Sequence, residues 1–113
     1  MRTYPLHRED GSVFAFEITS TWVSFYRLFA TLRSVGGVTA LKRNYFNEDR
    51  ASFLYEGERW VINEAFGDNS RYWVGPERGI HSKQDASAIH AAFQRLEIFP
   101  RWLWRRLRRS GRA

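Results

Sequence analysis

The chain has 113 residues, of which 43% are apolar and 27% are charged, so its size and composition are those of one folded domain rather than a disordered segment. It contains no cysteine, which excludes disulfide bonds, thiolate metal sites and a cysteine nucleophile. The formal net charge of +6 comes entirely from the last sixteen residues, because the twelve basic and twelve acidic residues up to Glu97 cancel.

Neither a secretory signal nor a membrane span is predicted from the sequence. The first residues carry charges that no apolar run follows, and no stretch approaches the ~20 apolar residues that a membrane-spanning helix needs. We therefore expect a cytoplasmic protein.

Five segments show the period-two alternation and the aromatic or β-branched content that predict β-strands. A tight hairpin turn at Glu56-Gly57-Glu58 joins the third and the fourth, and the fifth is short. The five segments are 13–18, 38–46, 51–55, 60–63 and 71–74.

Two other segments repeat apolar residues at helical spacing. The first follows Thr19-Ser20-Thr21, a cluster of N-cap residue types, and ends at Gly36-Gly37. The second follows Ser82-x-x-Asp85, which resembles a capping box, and ends near Pro100. The predicted fold class is therefore α+β: a two-layer sandwich in which one antiparallel sheet of four or five strands carries two helices on one face. The element order is β-α-β-β-β-(β)-α, with one domain over 1–98 and a basic helical tail over 99–113.

The strand residues divide into an aromatic set and a polar set of opposite parity. We expect the aromatic set to pack against the helices and the polar set, whose charges balance, to face water. A single-stranded RNA platform needs aromatic rings beside basic residues on the open face, which is the reverse of this pattern. The aromatic set is Phe14, Phe16, Ile18, Leu41, Tyr45, Phe53, Tyr55, Trp60, Ile62 and Trp73, and the polar set is Glu17, Lys42, Asn44, Ser52, Glu56, Arg59 and Asn63.

No catalytic constellation is recognisable in the sequence. The three histidines are far apart, and the paired acidic residues fall in predicted turns, where water keeps carboxyl groups ionised. No glycine pattern of the phosphate-cradling type lies between a strand and a helix. We therefore expect no enzymatic activity, no metal and no cofactor.

The segment that leads into the last predicted strand combines polar and aromatic residues. Asp68, Asn69, Ser70 and Arg71 precede Trp73. One interpretation is an Asx-type turn held by Asp68, and the other is a recognition loop, because polar groups flanked by aromatics form small binding patches. The turn is favoured, and the two interpretations are compatible.

The last residues are the second candidate site. On a helical wheel the apolar residues gather on one side and most arginines on the other. Such a helix fits a protein partner anchored by tryptophan, an anionic membrane surface, or nucleic acid, although the neutral body offers no basic surface to continue a nucleic-acid footprint. It could also fold back onto the core or fray without a role. The candidate residues are Arg101, Trp102, Trp104, Arg105, Arg106, Arg108 and Arg109.

The sequence thus predicts a small non-enzymatic protein that binds a macromolecular partner, with a protein partner favoured. Its contacts would be the segment from Asp68 to Trp73 and the tail. The alternative is a peripheral membrane or non-specific nucleic-acid binder that acts through the tail alone. An exposed edge strand could also pair two copies of the chain.

Overall fold

The structure is a computed structural model that describes residues 1–19, 24–44, 49–64 and 71–96. The tail and three residues of the predicted loop, Asp68, Asn69 and Ser70, lie outside the described residues. The proposed boundary between domain and tail lies there too.

Within the described residues, six antiparallel strands form one sheet in the spatial order β1-β2-β6-β5-β4-β3, and two helices pack on one of its faces. The predicted α+β class is confirmed, with one strand more than expected. The strands are β1 (Thr3–His7), β2 (Val13–Thr19), β3 (Val38–Arg43), β4 (Asp49–Tyr55), β5 (Glu58–Asn63) and β6 (Arg71–Pro76), and the helices are α1 (Phe25–Arg33) and α2 (Ser87–Arg95), with a 3-10 turn at Gly79–His81.

The core lies between the sheet and the helices, as the hydrophobic patterns predict. Phe16 of β2 packs against Phe93 of α2 with ring centroids 5.2 Å apart, and Phe25 of α1 lies 5.4 Å from Tyr72 of β6. Burial of such aromatic and aliphatic side chains is the main stabilising contribution in a domain of this size. The largest fully buried hydrophobic side chains are Trp60, Phe16, Phe53, Phe93, Ile18, Leu28, Leu32, Ile62 and Ile89.

The expected position of Trp73 in the core is wrong. The register between β2 and β6 shows this, because Val74 lies opposite Phe16 and Trp73 lies opposite Glu17. Paired residues share a face of the sheet, so Trp73 faces away from the helices together with Glu17. Tyr72 and Val74 pack in the core in its place.

Two predicted helix caps are also corrected. Helix α1 begins at Phe25, capped by Ser24, whose hydroxyl accepts a hydrogen bond from the Arg27 amide at 3.3 Å. Thr19 belongs to β2 instead. Ser82 does not cap α2: its side chain is buried and donates to Glu58 Oε2 at 2.9 Å. Asp85 instead accepts hydrogen bonds from the Ser87 hydroxyl and from the Ser87 amide, the latter at 2.9 Å, and these bonds lower the pKa of its carboxyl group.

The two outer strands of the sheet are irregular. Strand β1 contains Pro5, which has no amide hydrogen to donate, and its register shifts between Leu6 and His7. The pairing of β3 with β4 shifts between Thr39 and Lys42, where Ala40 has a φ of 54°. That bulge bends the outer border of the sheet.

The turn between β4 and β5 is a two-residue hairpin at Glu56 and Gly57. Both residues have positive φ, 50° and 83°. This is the backbone that a type I′ hairpin requires, and Gly57 adopts it without a steric penalty. Among the described residues, no helix is long and apolar enough to cross a bilayer.

Candidate functional site

The described part of the predicted loop forms the start of β6. Arg71 lies opposite Thr19 and Trp73 lies opposite Glu17, both on the sheet face that points away from α1 and α2. We call this the open face. The structure thus places two of the five predicted loop residues, Arg71 and Trp73, on the strand that was predicted over 71–74.

Strand register places a row of polar and aromatic residues across the open face. Tyr4 of β1 lies opposite Glu17 of β2, which in turn lies opposite Trp73 of β6, followed by Asn63 of β5. Adjacent strands are about 4.8 Å apart, so Tyr4 and Trp73 are about 10 Å apart across the sheet. Tyr4 has no counterpart among the sequence predictions because its strand was not predicted.

The indole ring of Trp73 extends along its own strand and covers Gly75. A Cβ atom added at Gly75 would be 2.7 Å from Cη2 and 2.9 Å from Cζ2 of Trp73, and 2.6 Å from Cβ of Ala15 on β2. Only glycine leaves room for the ring at this position. Trp73 remains partly exposed in this orientation, while Ala15 beneath the face is fully buried.

Arg71 reaches across β2 to the ring of Tyr4. Its guanidinium carbon lies 3.6 Å from the ring centroid, and that of Arg2 lies 5.4 Å from the same centroid. Both distances are within the range of cation–π attraction. Glu17 lies 3.9 Å from Arg71 Nη1, and the two side chains are 18% and 41% exposed. We call Tyr4, Arg71 and Trp73 the open-face cluster.

The open face continues past the cluster towards β3 as a more polar surface. A shallow groove of about 170 Å³ is lined mainly by Ala40, Lys42, Ser52, Leu54 and Arg59. Arg59 pairs with Glu77 at 2.7 Å, and both side chains are more than half exposed, so this pair contributes little to stability. Apart from the open-face cluster, the prediction that polar side chains occupy this face is largely correct.

Two buried polar groups on the helix side serve the fold. Glu64 is 3% exposed and accepts from Arg50 Nε at 2.7 Å. His90 packs on the Phe16 ring at 5.1 Å and bonds the Thr3 hydroxyl through Nε2 at 2.7 Å. Burial, with the nearby His7, lowers the pKa of His90, because the protein interior disfavours the charged imidazolium.

The described residues contain no group of three histidine, aspartate or glutamate side chains placed to hold a metal ion. A second cleft, of about 400 Å³, is lined by Arg8, Glu9, Asp10, Ile80 and His81. Its arginine is already engaged, since Arg8 donates from Nη2 to the Gln84 carbonyl at 3.0 Å and also to the Ser82 carbonyl. That contact ties the β1–β2 turn to the loop before α2.

Comparison with family models, with curated proteins and with solved structures gives no match. The open-face cluster joins two partly exposed aromatic side chains and one arginine, with Arg2 nearby, on the sheet face that neither helix covers.

Proposed function

We propose that the protein is a small non-enzymatic binding protein that holds a macromolecular partner on the open face. The observation that carries the proposal is the open-face cluster, in which Arg71 is stacked on Tyr4 and the Trp73 ring lies over Gly75. Tryptophan, tyrosine and arginine dominate the binding energy of protein interfaces, and they also stack on nucleotide bases. The cluster thus suits either class of macromolecule, including the protein partner that the sequence favours.

The shape of the face supports a large partner. The cluster residues lie on β1 and β6, on either side of β2. A sheet surface is broad and shallow, whereas small molecules are held in concave pockets. The positions of Trp73 and Arg71 are fixed by strand pairing and by Gly75, so little conformational freedom is lost when a partner binds.

The Trp/Arg tail is proposed to extend this interface. The described chain ends at Leu96, whose carbonyl accepts a hydrogen bond from the amino group of Met1 at 2.6 Å, two residues before β1 begins. The arginines after Glu97 therefore follow from the end of the sheet at which Arg2 and Arg71 lie.

Site-specific photo-crosslinking in cells tests the proposal. A photoreactive residue at Leu6, which lies opposite Ala15 on the open face, is compared with one at Tyr26, which is 80% exposed on α1. We expect crosslinks to a macromolecule from position 6 that are lost on Trp73→Ala, and none from position 26. Digestion with protease or nuclease then identifies the class of partner. Equal crosslinking from both positions, or none from position 6, would refute the proposal.

A further inference from the structure

The fold separates charges that balance along the sequence. Strands β1, β4 and β6 all begin at one end of the sheet, which we call the basic end. Helix α1 begins and helix α2 ends at this same end. Among the described residues this end carries seven basic and three acidic side chains, while the opposite end carries five basic and six acidic ones. The basic end comprises Arg2, Arg27, Lys42, Arg43, Arg50, Arg71 and Arg95 against Glu17, Asp49 and Glu64.

The acidic groups at the basic end are poorly placed to cancel its outward potential. Glu64 is almost fully buried against Arg50, and the side chain of Glu17 is only 18% exposed, beside Arg71. Most of the basic side chains at this end are more exposed than these two acidic side chains. Among the described residues, the side chains exposed at this end are therefore mostly basic, and such a surface attracts anions.

The open-face cluster lies at this same end. Tyr4 and Arg71 are the second residue of β1 and the first of β6, and Trp73 follows two positions later. A surface that carries arginines beside aromatic residues on strands about 10 Å apart has the two components of a single-stranded nucleic-acid site: cations for phosphates and π-surfaces for bases.

From this juxtaposition we infer that the open face binds single-stranded nucleic acid. One base stacks on Trp73 and a second on the stacked pair of Tyr4 and Arg71, and the two arginines at this part of the open face, Arg71 and Arg2, contact the phosphates. The inference rests on the proposed function and names its partner class. The expectation that the open face lacks aromatic rings beside basic residues is overturned by the positions of Tyr4, Arg71 and Trp73.

The geometry favours nucleic acid over a membrane surface. Insertion into a bilayer uses apolar side chains that project outwards from an amphipathic surface. The Trp73 ring instead lies against Gly75, and Tyr4 has guanidinium groups within 6 Å of its ring. Both rings are held against the protein as platforms, which is what base stacking requires.

The test measures anisotropy of fluorescein-labelled oligo(dT) and oligo(U) of about 15 nucleotides, titrated with the full chain at about 50 and about 200 mM salt. We expect binding that weakens at the higher salt. Trp73→Ala should weaken it at least fivefold through lost stacking. Arg71→Gln should weaken it and make the salt dependence shallower by about one phosphate contact.

Two further variants separate this inference from misfolding and from binding by the tail. Arg59→Gln removes an arginine from the same face at the opposite end and should bind like wild type. Glu17→Gln removes the acidic group beside Arg71 and should bind more tightly, a gain that an unfolded variant cannot produce.

Absence of oligonucleotide binding, or wild-type affinity in both Trp73→Ala and Arg71→Gln, would overturn the inference; the second result would assign binding to the tail. Protein crosslinks from position 6 without oligonucleotide binding would refute the nucleic-acid partner and leave the proposed function standing. Failure of both experiments would refute both.

Discussion

Gly75→Ala tests the placement of Trp73 directly. The substitution adds one methyl group at a position where it would be 2.7 Å from the indole ring and 2.6 Å from Cβ of Ala15. No strained backbone is involved, because the φ of Gly75 is not positive, so the whole effect comes from crowding. Either the ring must lift off the strand or β2 and β6 must separate.

Overpacking of this kind costs about 1–3 kcal/mol of unfolding free energy. We expect the upper half of that range, because one of the two close contacts is to Ala15 on the neighbouring strand, which cannot rotate away. For a domain of this length such a loss lowers the Tm by about 4 °C per kcal/mol. Urea unfolding gives the free energy, and a thermal melt followed by far-UV circular dichroism gives the Tm.

Gly36→Ala is the matched control, because an added Cβ there meets nothing within 4 Å and the φ is not positive. It should be neutral or slightly stabilising. In a Trp73→Ala background, Gly75→Ala should cost less, since one of its two neighbours is gone. If Gly75→Ala is as stable as wild type, or costs the same in both backgrounds, Trp73 does not lie over Gly75 and the open-face cluster is misassigned.

Three groups that hold the fold together, at Arg50, Gln84 and His90, are tested by substitution. Arg50→Gln deprives buried Glu64 of its salt bridge and should cost about 3 kcal/mol of unfolding free energy. Arg59 belongs to an exposed ion pair, so Arg59→Gln should cost less than about 1 kcal/mol. Equal costs in urea unfolding would contradict this expectation. Gln84→Ala removes bonds to Trp60 Nε1 (2.7 Å) and to the Tyr55 carbonyl (2.6 Å) and should cost about 1–3 kcal/mol; an unchanged midpoint would show that the polar link is dispensable. His90 has a lowered pKa in the folded state, so the unfolded chain binds the proton more readily and stability falls as pH drops below about 6.5. Between pH ~7.5 and ~5 the Tm of His90→Gln should therefore fall less than that of wild type. Equal falls in Tm would refute the assignment of this pH dependence to His90.

The sequence was sufficient to predict the structure wherever a local rule acts alone. The hairpin at Glu56-Gly57 was predictable because few residue pairs accept two successive positive φ angles. The alternation of Phe53 with Leu54 and of Trp60 with Val61 also predicted which face of β4 and β5 is buried, since only one residue of each pair packs in the core cluster.

Pairing between distant strands was not predictable in the same way. Tyr72 and Trp73 are adjacent aromatic residues, so the pattern of β6 alone fits either orientation, and the pairing of Trp73 with Glu17 decides it. Strand β1 was missed because Pro5 interrupts a short segment, although a proline is acceptable on an outer strand. The candidate site depends on both of these points, which is why only Arg71 and Trp73 of the open-face cluster were anticipated.

The irregular outer strands have a consequence for the behaviour of the protein at high concentration. The missing amide hydrogen of Pro5 and the bulge at Ala40 leave each border of the sheet without a straight row of backbone donors and acceptors. A second copy cannot add its own strand smoothly to either border, so we expect resistance to fibril-like stacking even where electrostatic repulsion is screened by salt. Resistance to aggregation would then come from the shape of the backbone at the two borders of the sheet and would not depend on net charge.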